Sequence, residues 1–205
     1  MPVALTIIKY RMPGRAWLLT LLFMLTVMLT GCTSMNIEDY AASKPGLKIE
    51  DYFAGKTVAW GMFQDRFGNV QQRFKVLMTG EVNDGVLTLD EQFIYSDGSE
   101  STRIWNVNIM GDGHYLGTAG DIVGQAIGRS AGNAFNFKYQ MRLPIRGREW
   151  VVTFDDWMFL QEDGVLLNVA TMSKWGIKLG TLTVAFEKPG FEKAASPEKA
   201  NKEQQ

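Results

Sequence analysis

Two carboxylates stand where apolar side chains are expected. In the alternating series Leu87, Leu89, Glu91, Phe93 and Tyr95, Glu91 interrupts an apolar row, and Asp156 does the same in Val152, Phe154, Asp156, Met158 and Leu160. Removing an unpaired carboxylate from water costs several kcal/mol, so each must be ion-paired, hydrogen-bonded, protonated or wetted by a cavity. Candidate partners are Arg103, beside Trp105 on the strand after Glu91, and Asn168 and Lys174 on the strand after Asp156. The chemistry this pattern offers is recognition, with Glu91, Arg103, Trp105, Asp156 and Asn168 as polar and aromatic groups that orient a ligand in an otherwise apolar cavity. The bland alternative is a structural ion pair, or a strand whose inner face is the other one. Glu91 with Asp155 or Asp156 would also supply the two carboxylates of glycoside chemistry, which demands a particular separation.

Other chemistry is poorly supported. The single histidine, His114, lies in a short Gly-rich segment, and there is only one cysteine. Zinc sites built from His and Cys clusters are therefore excluded, and haem would depend on His114 alone. No serine sits in a nucleophile elbow and no Ser-His-Asp arrangement is readable, so the residues favour binding over catalysis, with no cofactor or metal.

The elements that must position these side chains are strands. From Lys56 to Glu187 runs rich in Val, Ile, Thr, Phe, Tyr and Trp alternate with polar residues and stop at glycine turns. Examples are Asn83-Asp84-Gly85, Ser96-Asp97-Gly98-Ser99, Gly111-Asp112-Gly113 and Glu162-Asp163-Gly164. Period-2 alternation is the strand signature, and Asp-Gly is a strong hairpin signal because glycine adopts the positive φ of tight turns. The segments predicted are 56–66, 70–82, 86–95, 101–110, 114–119, 134–144, 149–161, 165–173 and 179–187. Hairpins join sequence neighbours, so the expected fold is all-β, an up-and-down antiparallel barrel of about eight or nine strands; closure removes two exposed edges. A sandwich is the alternative. A barrel of that size either fills with side chains or holds one small ligand. The 96–99 turn decides one pairing in advance: an odd-length loop puts Glu91 and Arg103 on the same side, and a two-residue loop does not.

Between the fifth and sixth segments Gly120, Gly124, Gly128 and Gly132 recur four apart. On a helix they form one stripe without side chains, with Asp121 as N-cap and Ile122, Ala126 and Ile127 facing the barrel. The functional expectation is a short helix or loop that caps and gates one mouth, comprising Gly120, Asp121, Gly124, Gly128 and Gly132. The alternative is a long connection whose glycines serve turns. The stretch lacks the Gly-Lys-Ser/Thr ending of a phosphate loop.

The N-terminus carries a separate signal. Lys9, Arg11 and Arg15 precede an apolar run from Ala16 to Leu29, which ends in Leu29-Thr30-Gly31-Cys32. The run is shorter than the ~20 apolar residues a membrane-spanning helix needs and fits a signal peptide. The sequence around Cys32 resembles the lipobox of bacterial prolipoproteins. That resemblance implies a leader over 1–31, cleavage before Cys32, and acylation of Cys32 by chains such as palmitate, which anchors the protein stably once two chains are present. Thr33, rather than Asp, after the cysteine implies transport to the outer membrane, with the domain facing the periplasm. An uncleaved anchor would instead leave an unpaired thiol in an oxidising compartment.

The resulting organisation is a leader over 1–31, a polar tether over 32–46, a barrel over 47–187 and a disordered tail over 188–205 rich in Lys, Glu and Ala. A domain of this size buries about 68–70% of its chain surface and needs no disulfide. Lys and Arg number 21 against 22 Asp and Glu, giving a net charge of −1. Loss of the basic leader makes the remainder more acidic, which argues against a nucleic-acid partner.

Several blocks, Trp60-Gly-Met-Phe-Gln-Asp-Arg-Phe-Gly68, Glu91-Gln-Phe-Ile-Tyr95, Asp121-Ile-Val-Gly124, Gly132-Asn-Ala134, Phe154-Asp-Asp-Trp-Met158 and Met172-Ser-Lys-Trp-Gly176, resemble a family of bacterial lipoproteins, domain of unknown function 3833. The resemblance covers nearly the whole domain. It implies a lipocalin- or calycin-like barrel and, through gene neighbours like cyclopropane-fatty-acid synthases, a connection with lipid chemistry; it supplies no catalytic residues. Three roles follow as expectations. The first is binding or shuttling of an apolar ligand, a fatty acid or other fatty acyl chain. The second is binding of an envelope protein partner through a patch of Trp60, Trp150 and Trp157, with a filled core. The third is an enzyme acting on modified lipids.

Overall fold

Ten strands close into a single antiparallel barrel in the computed structural model, which describes residues 35–145 and 147–189. The expected lipidation site Cys32, the expected leader 1–31 and nearly all of the expected tail 188–205 lie outside the described residues. In chain order the strands are β1 (Gly55–Asp65), β2 (Val70–Asn83), β3 (Val86–Tyr95), β4 (Glu100–Gly111), β5 (His114–Thr118), β6 (Ile122–Ala131), β7 (Ala134–Ile145), β8 (Arg148–Leu160), β9 (Leu166–Lys174) and β10 (Ile177–Glu187). Each pairs with its sequence neighbour, and β1 meets β10 from Val58 opposite Glu187 to Asp65 opposite Gly180. The barrel thus forms rather than the sandwich.

Turn chemistry sets the registers. Asp84 and Gly85 both take positive φ, 49° and 75°, in a two-residue connection between Asn83 and Val86, the twist-matched hairpin that Asp-Gly favours. The β3–β4 turn is different. Tyr95 N–H donates to the Ser99 carbonyl at 2.9 Å and Gly98 N–H to the Tyr95 carbonyl at 3.0 Å, leaving Ser96, Asp97 and Gly98 as a three-residue loop. Its odd length places Glu91 directly opposite Arg103.

The glycine ladder does not form a helix or a cap. Residues 122–131 are the strand β6, which is why there are ten strands and not eight or nine. Gly120 and Asp121 occupy the turn before it, Gly124 sits at an irregularity in its pairing with β7 with φ of 72°, and Gly132 lies in the turn at its far end. These five residues span the barrel's length instead of gathering at one mouth. The compensation for glycine lies in neighbouring rings: a Cβ on Gly128 would stand 2.9 Å from Phe135 Cζ and 3.0 Å from Tyr115 Cβ. Gly128→Ala is therefore expected to lose about 1–3 kcal/mol through overpacking, measurable by urea denaturation.

The cap comes instead from the N-terminal segment. A short helix, α1 (Ile49–Phe53), closes the end of the barrel that carries the β2–β3, β6–β7 and β8–β9 turns, burying Ile49, Tyr52 and Phe53. Tyr52 Oη donates to the carbonyls of Gly164 at 3.0 Å and Phe186 at 3.1 Å, and Leu47 N–H donates to the Gly132 carbonyl at 2.7 Å. Burial raises the Tyr52 hydroxyl pKa to about 12.

Part of the expected tether is also ordered against the barrel. Ile37–Tyr40 form a 3-10 helix on the outer face of β7 and β8, where Ile37 and Tyr40 cover Ala134, Trp157 and Phe159. This explains why β8 reads as apolar on both sides: one face points into the barrel and the other lies beneath this helix. Trp157 is consequently buried, and Trp150 lies under the Lys174 ammonium at 4.5 Å, so the expected patch of Trp60, Trp150 and Trp157 does not form.

Candidate functional site

The strand alternation turns Leu87, Leu89 and Glu91 of β3, Trp105 and Arg103 of β4, Phe137 and Tyr139 of β7, Asp156 and Met158 of β8, and Asn168 of β9 toward one interior cavity of about 120 Å³. Ile49 and Phe53 of α1 line its floor; Phe74, Phe93 and Leu182, all half-buried, line it nearer the other end. All five predicted ligand-orienting residues, Glu91, Arg103, Trp105, Asp156 and Asn168, line this space. Lys174 does not: its ammonium donates to the Val151 carbonyl at 3.2 Å and lies 5.0 Å from the Trp175 ring. Asp155 faces outward, 3.2 Å from Lys138, and so cannot share the cavity with Glu91. His114 is exposed at the start of β5, Nδ1 2.9 Å from the Asp112 carbonyl.

The electrostatics follow from how Arg103 distributes its contacts. Its Nη2 lies 2.8 Å from Asp121 Oδ2 and its Nε donates to the same oxygen at 3.1 Å, whereas Nη1 is 3.9 Å from Glu91 Oε2. The guanidinium also lies 5.5 Å from the Phe93 ring centroid and 6.0 Å from that of Trp105. Asp121 is thus the principal counter-ion of Arg103, not a helix N-cap. Glu91 gets only a long contact. Desolvation raises its pKa to about 7, against the pull of Arg103 and with a push from Asp121 and Asp156. Desolvation likewise raises Asp156 to about 7, although hydrogen bonds from Tyr139 and Asn168 draw it down; Tyr139 Oη donates to Asp156 Oδ2 at 3.1 Å.

Tyr139 and Asp121 are the cluster members that the sequence reading missed. Tyr139 stood in an apolar row where its hydroxyl was the available signal. Asp121 lay in a stretch whose glycines suggested a different element.

A carboxyl whose folded pKa exceeds its unfolded value binds more protons when folded, so its contribution to stability is greatest below the unfolded pKa and is lost as pH rises through about 7. Asp156→Asn should remove that loss. We expect the variant to match the native chain near pH 4 and to exceed it by roughly 2–4 kcal/mol near pH 8, as read by urea unfolding at both pH values.

Three residues that line the cavity each carry a buried oxygen with no hydrogen-bond partner: Glu91 Oε2, which has only the 3.9 Å contact to Arg103, Asp156 Oδ1 and Asn168 Oδ1. A larger hollow, about 600 Å³, lies outside the barrel between the segment leading into α1 and the β4–β5 turn, but none of the unpartnered buried side-chain oxygens lines it.

Fold and site together define a closed up-and-down β-barrel with a small, mostly apolar interior cavity and an off-balance cluster of charges. Residues 26–188 match the model of a protein family of unknown function, DUF3833, and the chain belongs to that family. No curated protein matches the chain.

Proposed function

We propose that the protein is a bacterial outer-membrane lipoprotein, anchored through acylated Cys32 and facing the periplasm, whose barrel binds or shuttles an apolar ligand. The observation that carries this reading is the interior cavity, with its hydrophobic walls and convergent polar groups. Its volume of about 120 Å³ is comparable to an engineered cavity of ~150 Å³ that binds benzene, and smaller than the ~300–1,000 Å³ of drug-sized sites. It therefore takes one ring or a short stretch of acyl chain. A longer fatty acyl chain would have to continue past Phe74, Phe93 and Leu182, the half-buried side of the lining.

The test is to isolate the full chain from bacterial membranes, extract it with organic solvent and identify co-purifying molecules by mass spectrometry. A stoichiometric apolar compound, distinct from the acyl chains on Cys32, is expected. Consistently empty extracts, together with failure of the purified barrel to take up short apolar probes, would defeat the proposal.

A second reading, binding of an envelope protein partner, draws support from exposed apolar residues on the outer face of the barrel. Trp60 is 48% exposed, Leu167 42% and Val169 47%. Photo-crosslinking from Trp60 in intact cells would identify such a partner.

A further inference from the structure

We infer that the polar end of the cavity recognises a primary ammonium group carried on a short apolar body, and not the carboxylate of a free fatty acid. This inference rests on the cavity being a ligand site and names the head group that site accepts.

The first observation is the hydrogen-bonding character of the vacancies. Asp156 and Asn168 are 5% and 3% exposed and line the cavity with Glu91; Asp156 keeps Oδ1 free while Oδ2 accepts from Tyr139, Asn168 Oδ1 has no donor, and Glu91 Oε2 has only the 3.9 Å contact to Arg103. Ionised carboxylates accept only, and an amide oxygen accepts, so all three sites call for a molecule that donates. A bound carboxylate would instead add acceptors.

The second observation is charge. Glu91 on β3, Asp121 before β6 and Asp156 on β8 surround one cation, Arg103 on β4, which is already engaged at 2.8 Å by Asp121. Tyr139 on β7 adds a hydroxyl whose pKa burial holds well above its ordinary value, so it brings no positive charge. The linings from β2, β10 and α1, Phe74, Val76, Leu182, Val184, Ile49 and Phe53, are apolar. One additional cation would leave the cluster nearer neutrality, and a hydroxyl would not.

The third is shape and surface. Trp105, Phe137 and Tyr139 line the same cavity, and a cation is attracted to the face of such a ring. Among the described residues no three or more His, Cys, Asp or Glu side chains form a metal-binding group, so the carboxylates suit an organic cation better than a metal ion. An ammonium brings donors and positive charge in one group, which neither an alcohol nor a carboxylate does.

Because Glu91 and Asp156 have pKa values near 7, ammonium binding should strengthen as they ionise. From about pH 6 to about pH 8 the affinity for an amine should rise roughly tenfold or more, until the amine itself loses its proton near pH ~10.

The experiment titrates the full barrel with n-butylamine, n-butanol, n-butyrate and benzene, following the Trp105 indole and Asn168 amide resonances by NMR. At pH 8, n-butylamine is expected to bind at least about tenfold more tightly than n-butanol, and n-butyrate not at all. Glu91→Gln and Asp156→Asn should each lower amine affinity roughly tenfold, and the dispersed amide spectrum of each variant shows that the barrel is folded. Butyrate binding as tightly as the amine, an amine no tighter than the alcohol, or indifference to both substitutions would overturn the inference while leaving the cavity a ligand site. If no probe, benzene included, perturbs either resonance, the ligand-binding proposal fails with it.

Discussion

Replacing Arg103 by methionine is expected to destabilise the barrel by about 3–5 kcal/mol near pH 8, because it leaves buried carboxylates without their cation. Arg103 is only 22% exposed and is the partner of Asp121 at 2.8 Å and of Glu91 at 3.9 Å, so nothing else in the cluster can take its place. Methionine keeps much of the apolar stem against Phe93 and Trp105, which isolates charge from packing. The penalty should shrink as pH falls. Glu91 and Asp156 take up protons below about 7, after which the missing guanidinium faces neutral acids and only Asp121 still lacks its counter-ion. Urea unfolding of both proteins at pH 5 and pH 8 checks this, and the variant's stability should fall more steeply with pH than that of the native chain. A penalty equal at both pH values would mean that Arg103 does not act through Glu91 and Asp156, leaving only packing and its pair with Asp121.

Phe53→Ala is expected to cost about 3–5 kcal/mol, since it empties the floor of the barrel. Phe53 is 5% exposed, packs edge-on against Phe186 with centroids 5.4 Å apart, and its carbonyl fills the space over Gly80, where a Cβ would stand 2.1 Å away. For a chain of this length that loss lowers the melting temperature by roughly 6–20 °C. The same substitution enlarges the cavity from below, so benzene-sized probes should bind the variant at least as well as they bind the native chain. Thermal unfolding with and without benzene separates the two effects: the variant should begin lower and recover more.

Much of this architecture was readable before any coordinates. The period-2 alternation and the Asp-Gly turns fixed the strands and their antiparallel order, because a strand exposes its two faces to different surroundings and a hairpin needs residues tolerant of positive φ. The same alternation set Glu91 and Asp156 within apolar rows, but whether Glu91 meets Arg103 depended on a turn length that only the three-residue loop 96–98 decided. The glycine stretch escaped it. β5 and β6 carry glycine where apolar side chains would mark an inner face, because the rings of Phe137 and Phe135, from β7, fill the space above Gly117 and Gly128. The stretch's four-residue spacing imitated a helix. The 3-10 helix was hidden for a related reason: Ile37 and Tyr40 sit among polar residues, and the surface they cover, Trp157 and Phe159, lies more than a hundred positions away.

The sequence by itself therefore determined that this chain makes an up-and-down barrel with carboxylates on its inner wall, since both properties follow from local periodicity and turn chemistry. Only the tertiary structure decided that β6 completes the wall, that α1 seals its end, and that Asp121 takes the better part of Arg103. Those outcomes depend on volume and charge supplied by distant elements. That last competition is what leaves Glu91 and Asp156 undercompensated around an open cavity.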